Sequence, residues 1–173
     1  VDHPNIIVAI GANLPGPDGA PAIETCRRAA AALAELPGFQ RIALSRWYRT
    51  RPVPASDQPD YVNGVALIRA TAAGADQPPE TILARLQEIE AGFGRVRGVR
   101  NAARTLDLDI IGIGDLIRAA PDPVIPHPRA HERAFVLAPL VDVWPDWVHP
   151  VLGRTAREML AALGAAGGEP VAL

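Results

Sequence analysis

The order of apolar patterns along this chain predicts an α+β fold with a ferredoxin-like βαββαβ core and an antiparallel sheet. Two observations lead there. The periodicity runs strand, helix, strand, strand, helix, strand, and 173 residues with 49% hydrophobic content suit one domain able to bury a core. An extra C-terminal helix completes the expected single domain over 1–173, with its core at about 5–164.

The first strand is the apolar run Ile6 to Ile10, stopped by GANLPGPDGAP, whose glycines and prolines continue neither strand nor helix. From Ala22, the residues Ile23, Cys26, Ala30 and Leu33 recur at helical spacing and define an alanine-rich helix ending near Pro37. Cys26 lies on its apolar face and reads as core rather than nucleophile. QRIALSRWYRT at 40–50 and YVNGVALIRA at 61–70 read as strands. Between them RPVPASDQPD is too long for a tight hairpin, and loops of that length usually carry function.

A second helix from about Pro79 to Ala91 has proline in its first turn and a stripe of Ile82, Leu83, Leu86 and Ile89, with Gln87 and Glu90 at the margin. After the glycine-rich GFGRVRGVRNAAR comes TLDLDIIGI, the last core strand. Thr155 and Glu158 have the spacing of a capping box, opening a helix at Ala156 to Leu163 that Gly164 ends. The small-residue tail at 165–173 is expected to fray.

Composition narrows the chemistry. With 17 basic and 19 acidic residues the formal charge is -2, so no global attraction to nucleic acid or an anionic membrane is written here. All 17 basic residues are arginine, which removes a Walker A lysine, a Schiff base and a lysine-paired nucleophile. What remains suits bidentate recognition of phosphate or carboxylate. The single cysteine permits no internal disulfide or cysteine metal cluster and fits a reducing, cytoplasmic setting. No apolar run approaches the roughly 18 residues of a membrane span. The start VDHPNIIVAIG lacks the basic region and apolar core of an export signal.

In a strand, Asp107 and Asp109 share one face while Leu106, Leu108 and Ile110 share the other. Their Cα atoms would stand about 7 Å apart, a spacing from which two carboxylates can hold magnesium with water and phosphate completing its shell. An isolated pair of this kind is equally the wet face of a half-buried strand. Its neighbourhood favours the metal: four arginines, Arg95, Arg97, Arg100 and Arg104, and no acid lie between Glu90 and Asp107, interleaved with Gly92, Gly94 and Gly98. Clustered like charge on glycine is costly to order unless an anion compensates it, as a phosphate would. Arginines there would neutralise transferring oxygens, and glycines would let the loop close over nucleotide. A solvated basic loop or a nucleic-acid contact is the alternative.

Tyr61 and Phe135 sit near loop and strand ends, where flat rings can sandwich a heterocycle. Asn63 shares the face of Tyr61 and offers a donor and an acceptor for a heterocycle's edge. His127, held between Pro126 and Pro128, suits neutral hydrogen bonding or a phosphate contact. Its spacing to His131 is that of a helical zinc pair, but Pro128 intervenes and no HExxH follows.

Together these motifs resemble the 6-hydroxymethyl-7,8-dihydropterin pyrophosphokinase family. The string GRVR…RTLDLDI is the most specific, supported in order by AIGANL at 9–14, YRT at 48–50, DQPDYVN at 57–63, QEIE at 87–90, IPH at 125–127, ERAFVL at 132–137 and WPDWVHP near 150. The resemblance implies a three-layer α/β/α domain that binds ATP and the pterin side by side and moves pyrophosphate as a unit, releasing AMP. It implies two magnesium ions on Asp107 and Asp109, with Arg95 and Arg104 assisting transfer. Arg97 would contact nucleotide, and Gln87, Glu90, Ile110, His127 and Arg133 would surround ATP. Tyr61 and Phe135 would stack on the pterin, Asn63 would bond its edge, and Thr50, Pro52 and Val53 would line the remainder. No nucleic acid or membrane enters, and no protein partner is named.

A magnesium-dependent nucleotidyltransferase and a non-catalytic ferredoxin-like binding module are the competing readings. The chain also departs from the family pattern. It reads NAAR where a tryptophan often precedes the last loop arginine, and the loop is one residue shorter. Arg51 stands where proline is common, and Asp122 and Val124 replace a basic and a hydroxyl residue on the nucleotide side.

Overall fold

A computed structural model describes residues 3–52, 55–74, 77–94, 105–164 and 169–173. The elements are β1 (Asn5–Ala12), α1 (Ala22–Ala34), β2 (Phe39–Leu44), β3 (Tyr48–Thr50), β4 (Tyr61–Ala70), α2 (Pro79–Gly92), β5 (Asp107–Ile113), α3 (Ala134–Val143), α4 (Ala156–Leu163) and β6 (Val171–Ala172). The sheet runs β5-β1-β4-β3-β6, with β2 also paired to β4, and every pairing is antiparallel. With β2 and β3 taken as one bent strand, this is the ferredoxin-like order expected from the sequence.

Strand alternation divides the core in two. Ile6, Val8 and Ile10 of β1, Ala66 and Ile68 of β4 and Leu108 and Ile110 of β5 pack against Cys26, Ala30 and Leu33 of α1 and Ile82 and Leu86 of α2. Ile7, Val65, Leu67 and Ile111 face the other way, onto Val136, Leu137 and Leu140 of α3 and Met159 of α4. The sheet therefore lies between two helical layers, and β1, buried on both faces, reads as an unbroken apolar run. Alanines at 29 and 30 let α1 lie close to the sheet. Burial pushes the Cys26 thiol up to about 12, in keeping with a packing role.

Four features differ from the sequence reading. The strand expected over 40–50 bends at Ser45, whose hydroxyl accepts the Val65 N–H at 2.9 Å and donates to Arg46 O at 2.7 Å. At this bend Trp47 lies over Gly64, where an added Cβ would come within 2.5 Å of the indole. The helix α3 went unread because AFVLAPLVDV is apolar nearly all round and contains Pro139, leaving no 3.6-residue stripe to detect. In the tail expected to fray, Val171 and Ala172 pair with Arg49 and Tyr48, and the Leu173 N–H reaches Trp47 O at 2.9 Å. Glu90, placed at a helix margin, is instead only 2% exposed. The capping box is present as expected, Glu158 N to Thr155 Oγ1 at 3.1 Å and Thr155 N to Glu158 Oε1 at 3.0 Å.

Among the described residues no helix is long and apolar enough to cross a membrane. Beyond α3, His149 is 4% exposed and its Nδ1 accepts the N–H groups of Val151 and Leu152 at 3.2 and 3.1 Å. Burial, with a smaller contribution from His131, lowers its pKa from 6.5. The folded state thus disfavours a proton that the unfolded chain accepts, and stability complete above about 6.5 declines below it. The thermal midpoint should fall as the pH drops below 6.5, and His149→Asn should make that slope shallower; an unchanged slope would remove His149 as its source.

Candidate active site

The C-terminal end of β1 sets three strands abreast. Gly11 stands opposite Asn63 of β4 and opposite Asp107 of β5, and Ala9 stands opposite Val65 and Asp109. Residues opposite one another in an antiparallel ladder share a face. Val65 packs beneath α3, so Asn63, Gly11, Asp107 and Asp109 all look toward the α3 side, while Leu106, Leu108 and Ile110 enter the core beneath. Two strand spacings separate the Asn63 and Asp107 backbones by about 10 Å, room for two ligands side by side.

β5 is an edge strand, and one side chain and one backbone N–H take the place of the missing neighbour on its outer side, with a further bond just before it. Glu90 Oε2 accepts the Leu108 N–H at 2.9 Å, Ile111 O accepts the His127 N–H at 2.9 Å, and Thr105 Oγ1 donates to Phe93 O at 2.8 Å. Leu108 lies between the two aspartates, so the buried Glu90 carboxylate fixes the backbone that aims both. Asp107 and Asp109 are half-buried. The donor set is oxygen only, and among the described residues no group of three or more His, Cys, Asp or Glu could hold a metal ion. A carboxylate pair that leaves most positions to phosphate and water fits magnesium.

Cationic groups approach this pair from the start of α3. Arg133 is the N-cap residue of α3. Burial and Arg129 lower its pKa while the charges of Asp109 and Asp107 oppose them, which places the guanidinium within electrostatic reach of both carboxylates. The His127 pKa is lowered by burial first and then by Arg133, with Asp107 acting against them. His127 Nδ1 accepts the Arg129 N–H at 3.2 Å, so the neutral ring carries its proton on Nε2. It is therefore a hydrogen-bond donor within electrostatic reach of Asp107.

On the β4 side, Asn63 is 7% exposed and donates from Nδ2 to Thr50 Oγ1 at 2.9 Å. A Cβ at Gly11 would lie 3.1 Å from Asn63 Oδ1, so only glycine leaves that amide undisturbed. Tyr61 is half-buried opposite Thr50. Phe135, in the first turn of α3, is 37% exposed, with the Arg133 guanidinium 5.5 Å from its ring centroid. Asn13 Nδ2 donates to Gln58 Oε1 at 3.0 Å and ties the loop after β1 to the loop before β4.

The fold thus gathers Thr50, Tyr61, Asn63, Asp107, Asp109 and Arg133 on the α3 side, with Phe135 on α3 itself. Gln87 and Pro52 are half-buried, and the Ile110 side chain is in the core, leaving its backbone at the sheet edge for any ligand. Val53, Arg95, Arg97 and Arg104 lie outside the described residues. Sequence reasoning missed Gly11, although a glycine interrupting a buried strand signals close approach. It also missed Arg129, which no motif marked.

A family model for 7,8-dihydro-6-hydroxymethylpterin-pyrophosphokinase matches residues 7–145. This chain belongs to that family. A 2-amino-4-hydroxy-6-hydroxymethyldihydropteridine pyrophosphokinase from Synechocystis is 37% identical over 166 residues, covering 96% of this chain and 80% of the relative. Its namesake from Pseudomonas aeruginosa is 40% identical over 157 residues, covering 91% and 90%. The function is accordingly that of the pterin pyrophosphokinase of folate biosynthesis. A solved Plasmodium falciparum HPPK-DHPS chain has a TM-score of 0.64 at 14% identity, covering 92% of this chain, which spans 44% of that one; it shares the fold.

Gly11→Ala should raise the KM for the pterin about tenfold by displacing Asn63, with the ATP KM within about twofold of the original. Equal KM values for the pterin in both proteins would show that Gly11 does not shape this pocket.

Proposed function

We propose that the pterin and ATP meet over the Gly11 end of β1. The pterin ring lies on the β4 and α3 side against Asn63, Tyr61 and Phe135, and the triphosphate lies over Asp107 and Asp109. The observation that carries this reading is the register that sets Asn63, Gly11 and Asp107 abreast on one face.

In this arrangement the hydroxymethyl oxygen attacks the β-phosphorus of ATP. One phosphorus–oxygen bond forms, the bond from the β-phosphorus to the bridging α-oxygen breaks, and AMP leaves with the electron pair. The hydroxyl proton passes to solvent. Asp107 and Asp109 would hold two magnesium ions, which when bound would draw charge from the phosphate oxygens. Asn63 orients the ring through its edge, with its amide steadied by Thr50. Tyr61 and Phe135 hold the ring face, and Pro52 and Val53 close the remainder.

Arg133 and the Nε2–H of His127 bind phosphate oxygens that gain charge as transfer proceeds. Ile110 meets the nucleotide through its backbone on the outer edge of β5, and Gln87 lies beside it. Glu90 serves the nucleotide by pinning Leu108. Arg95 and Arg104 assist transfer and Arg97 contacts nucleotide, the roles the family resemblance gives them. The reaction is expected in the cytoplasm.

Mixing the protein with magnesium, ATP and 6-hydroxymethyl-7,8-dihydropterin should give AMP matched by pterin diphosphate on chromatography. Pyrophosphate with a nucleotidylated pterin would instead establish nucleotidyl transfer. Asp107→Ala and Asp109→Ala should each lower turnover at least about a hundredfold without unfolding the protein. Near-normal turnover in either would sink the metal assignment. Arg104→Ala should lower kcat more than it raises the ATP KM, and a loss confined to KM would leave it a binding role alone.

A further inference from the structure

The carboxylate of Asp142, in the last turn of α3, collects four donors from the segment entering β3. Oδ2 accepts from the Tyr48 hydroxyl at 2.8 Å and from the backbone N–H and Nε of Arg46 at 3.2 Å each, while Oδ1 accepts from Arg46 Nη2 at 3.0 Å. The same Nη2 donates to the Tyr48 hydroxyl oxygen at 2.9 Å, and the guanidinium lies 5.5 Å from the Tyr48 ring centroid. The Asp142 side chain is 16% exposed against 66% for Arg46, and Tyr48 is 6% exposed, so the acceptor and the phenol are the sheltered members.

This strut joins the two walls of the pterin pocket. Tyr48 stands opposite Asn63, and Thr50, the partner of the Asn63 amide, follows two residues later on the same face. α3 carries Arg133 at its N-cap and Phe135 in its first turn. Its apolar contacts with Val65 and Leu67 hold α3 against the sheet. Such packing is non-directional and resists sliding along the sheet weakly, whereas hydrogen bonds to one carboxylate are directional.

We infer that Asp142 is a positioning residue for the acceptor substrate: by bridging α3 to Arg46 and Tyr48 it sets the spacing between Phe135 and the Asn63–Thr50 pair. The inference rests on the pterin placement proposed above. The ATP side is held mainly elsewhere, through β5, Glu90 and the segment around His127, with Arg133 its one contact from α3, so loss of the strut acts more on the pterin than on ATP.

The test compares Asp142→Asn and the milder Tyr48→Phe with the original protein, measuring KM for each substrate, kcat and the thermal midpoint. Asp142→Asn should raise the pterin KM about five- to tenfold and Tyr48→Phe about threefold, with the ATP KM within about twofold. Equal rises in both KM values tracking a lowered thermal midpoint would mark a merely structural strut and overturn the inference, as would an unchanged pterin KM. Phe135→Ala, measured in parallel, separates the two readings. If it raises the pterin KM while Asp142→Asn does not, the strut alone fails; if it leaves the pterin KM unchanged, the pterin placement fails and takes the inference with it.

Discussion

The central strand β1 must hydrogen-bond along both edges and bury both faces, and the site depends on how it meets that double demand. Its apolar residues fix which helical layer each side chain of the neighbouring strands meets, because a slip of one residue would exchange the set packed under α1 and α2 with the set packed under α3 and α4. Once β4 and β5 are registered on it, Asn63 and Asp107 have no choice of position: they stand on either side of Gly11. In the placement proposed above, recognition of a heterocycle and grip on a phosphate would both be set by backbone pairing, the least compliant part of the molecule.

The edges of that frame are finished with polar side chains. β5 has a strand on one side only, and the Glu90 carboxylate takes the Leu108 N–H that an outer strand would otherwise bind. An unmade backbone bond in a dry environment would cost about 1–3 kcal/mol, enough to let the strand carrying both aspartates fray. Arg133 and His127 lie within electrostatic reach of the pair, and their pKa values are lowered first by burial and then by a neighbouring guanidinium, Arg129 for Arg133 and Arg133 for His127. In the proposed reading these groups would offer positive charge to phosphate and the two carboxylates negative charge to a metal.

The fold was legible wherever residues kept a clean period. The alternation in TLDLDIIGI named the face of the aspartates, and the stripe of α1 located one helical layer. α3 was hidden because a helix apolar on all sides has no stripe, and the Ser45 bend because it depends on Val65, twenty residues away. Of the site, Asn63, Tyr61, Asp107 and Asp109 could be read from local pattern. Glu90 could not, since its burial answers to a backbone group on another element. Gly11 and Asp142 act through neighbours that only the folded sheet brings near, so no local motif announced them.

The shared face of Asp107 and Asp109 also limits how this lineage can change its length. One residue gained or lost between Asp107 and Asp109 would put the two carboxylates on opposite faces of β5, one of them in the core. A change of length between the aspartates is thus disfavoured, whereas the connections between strands are cheap to vary, and the extra residue that β5 does carry, where its register shifts opposite Ile7 and Val8, lies beyond both carboxylates.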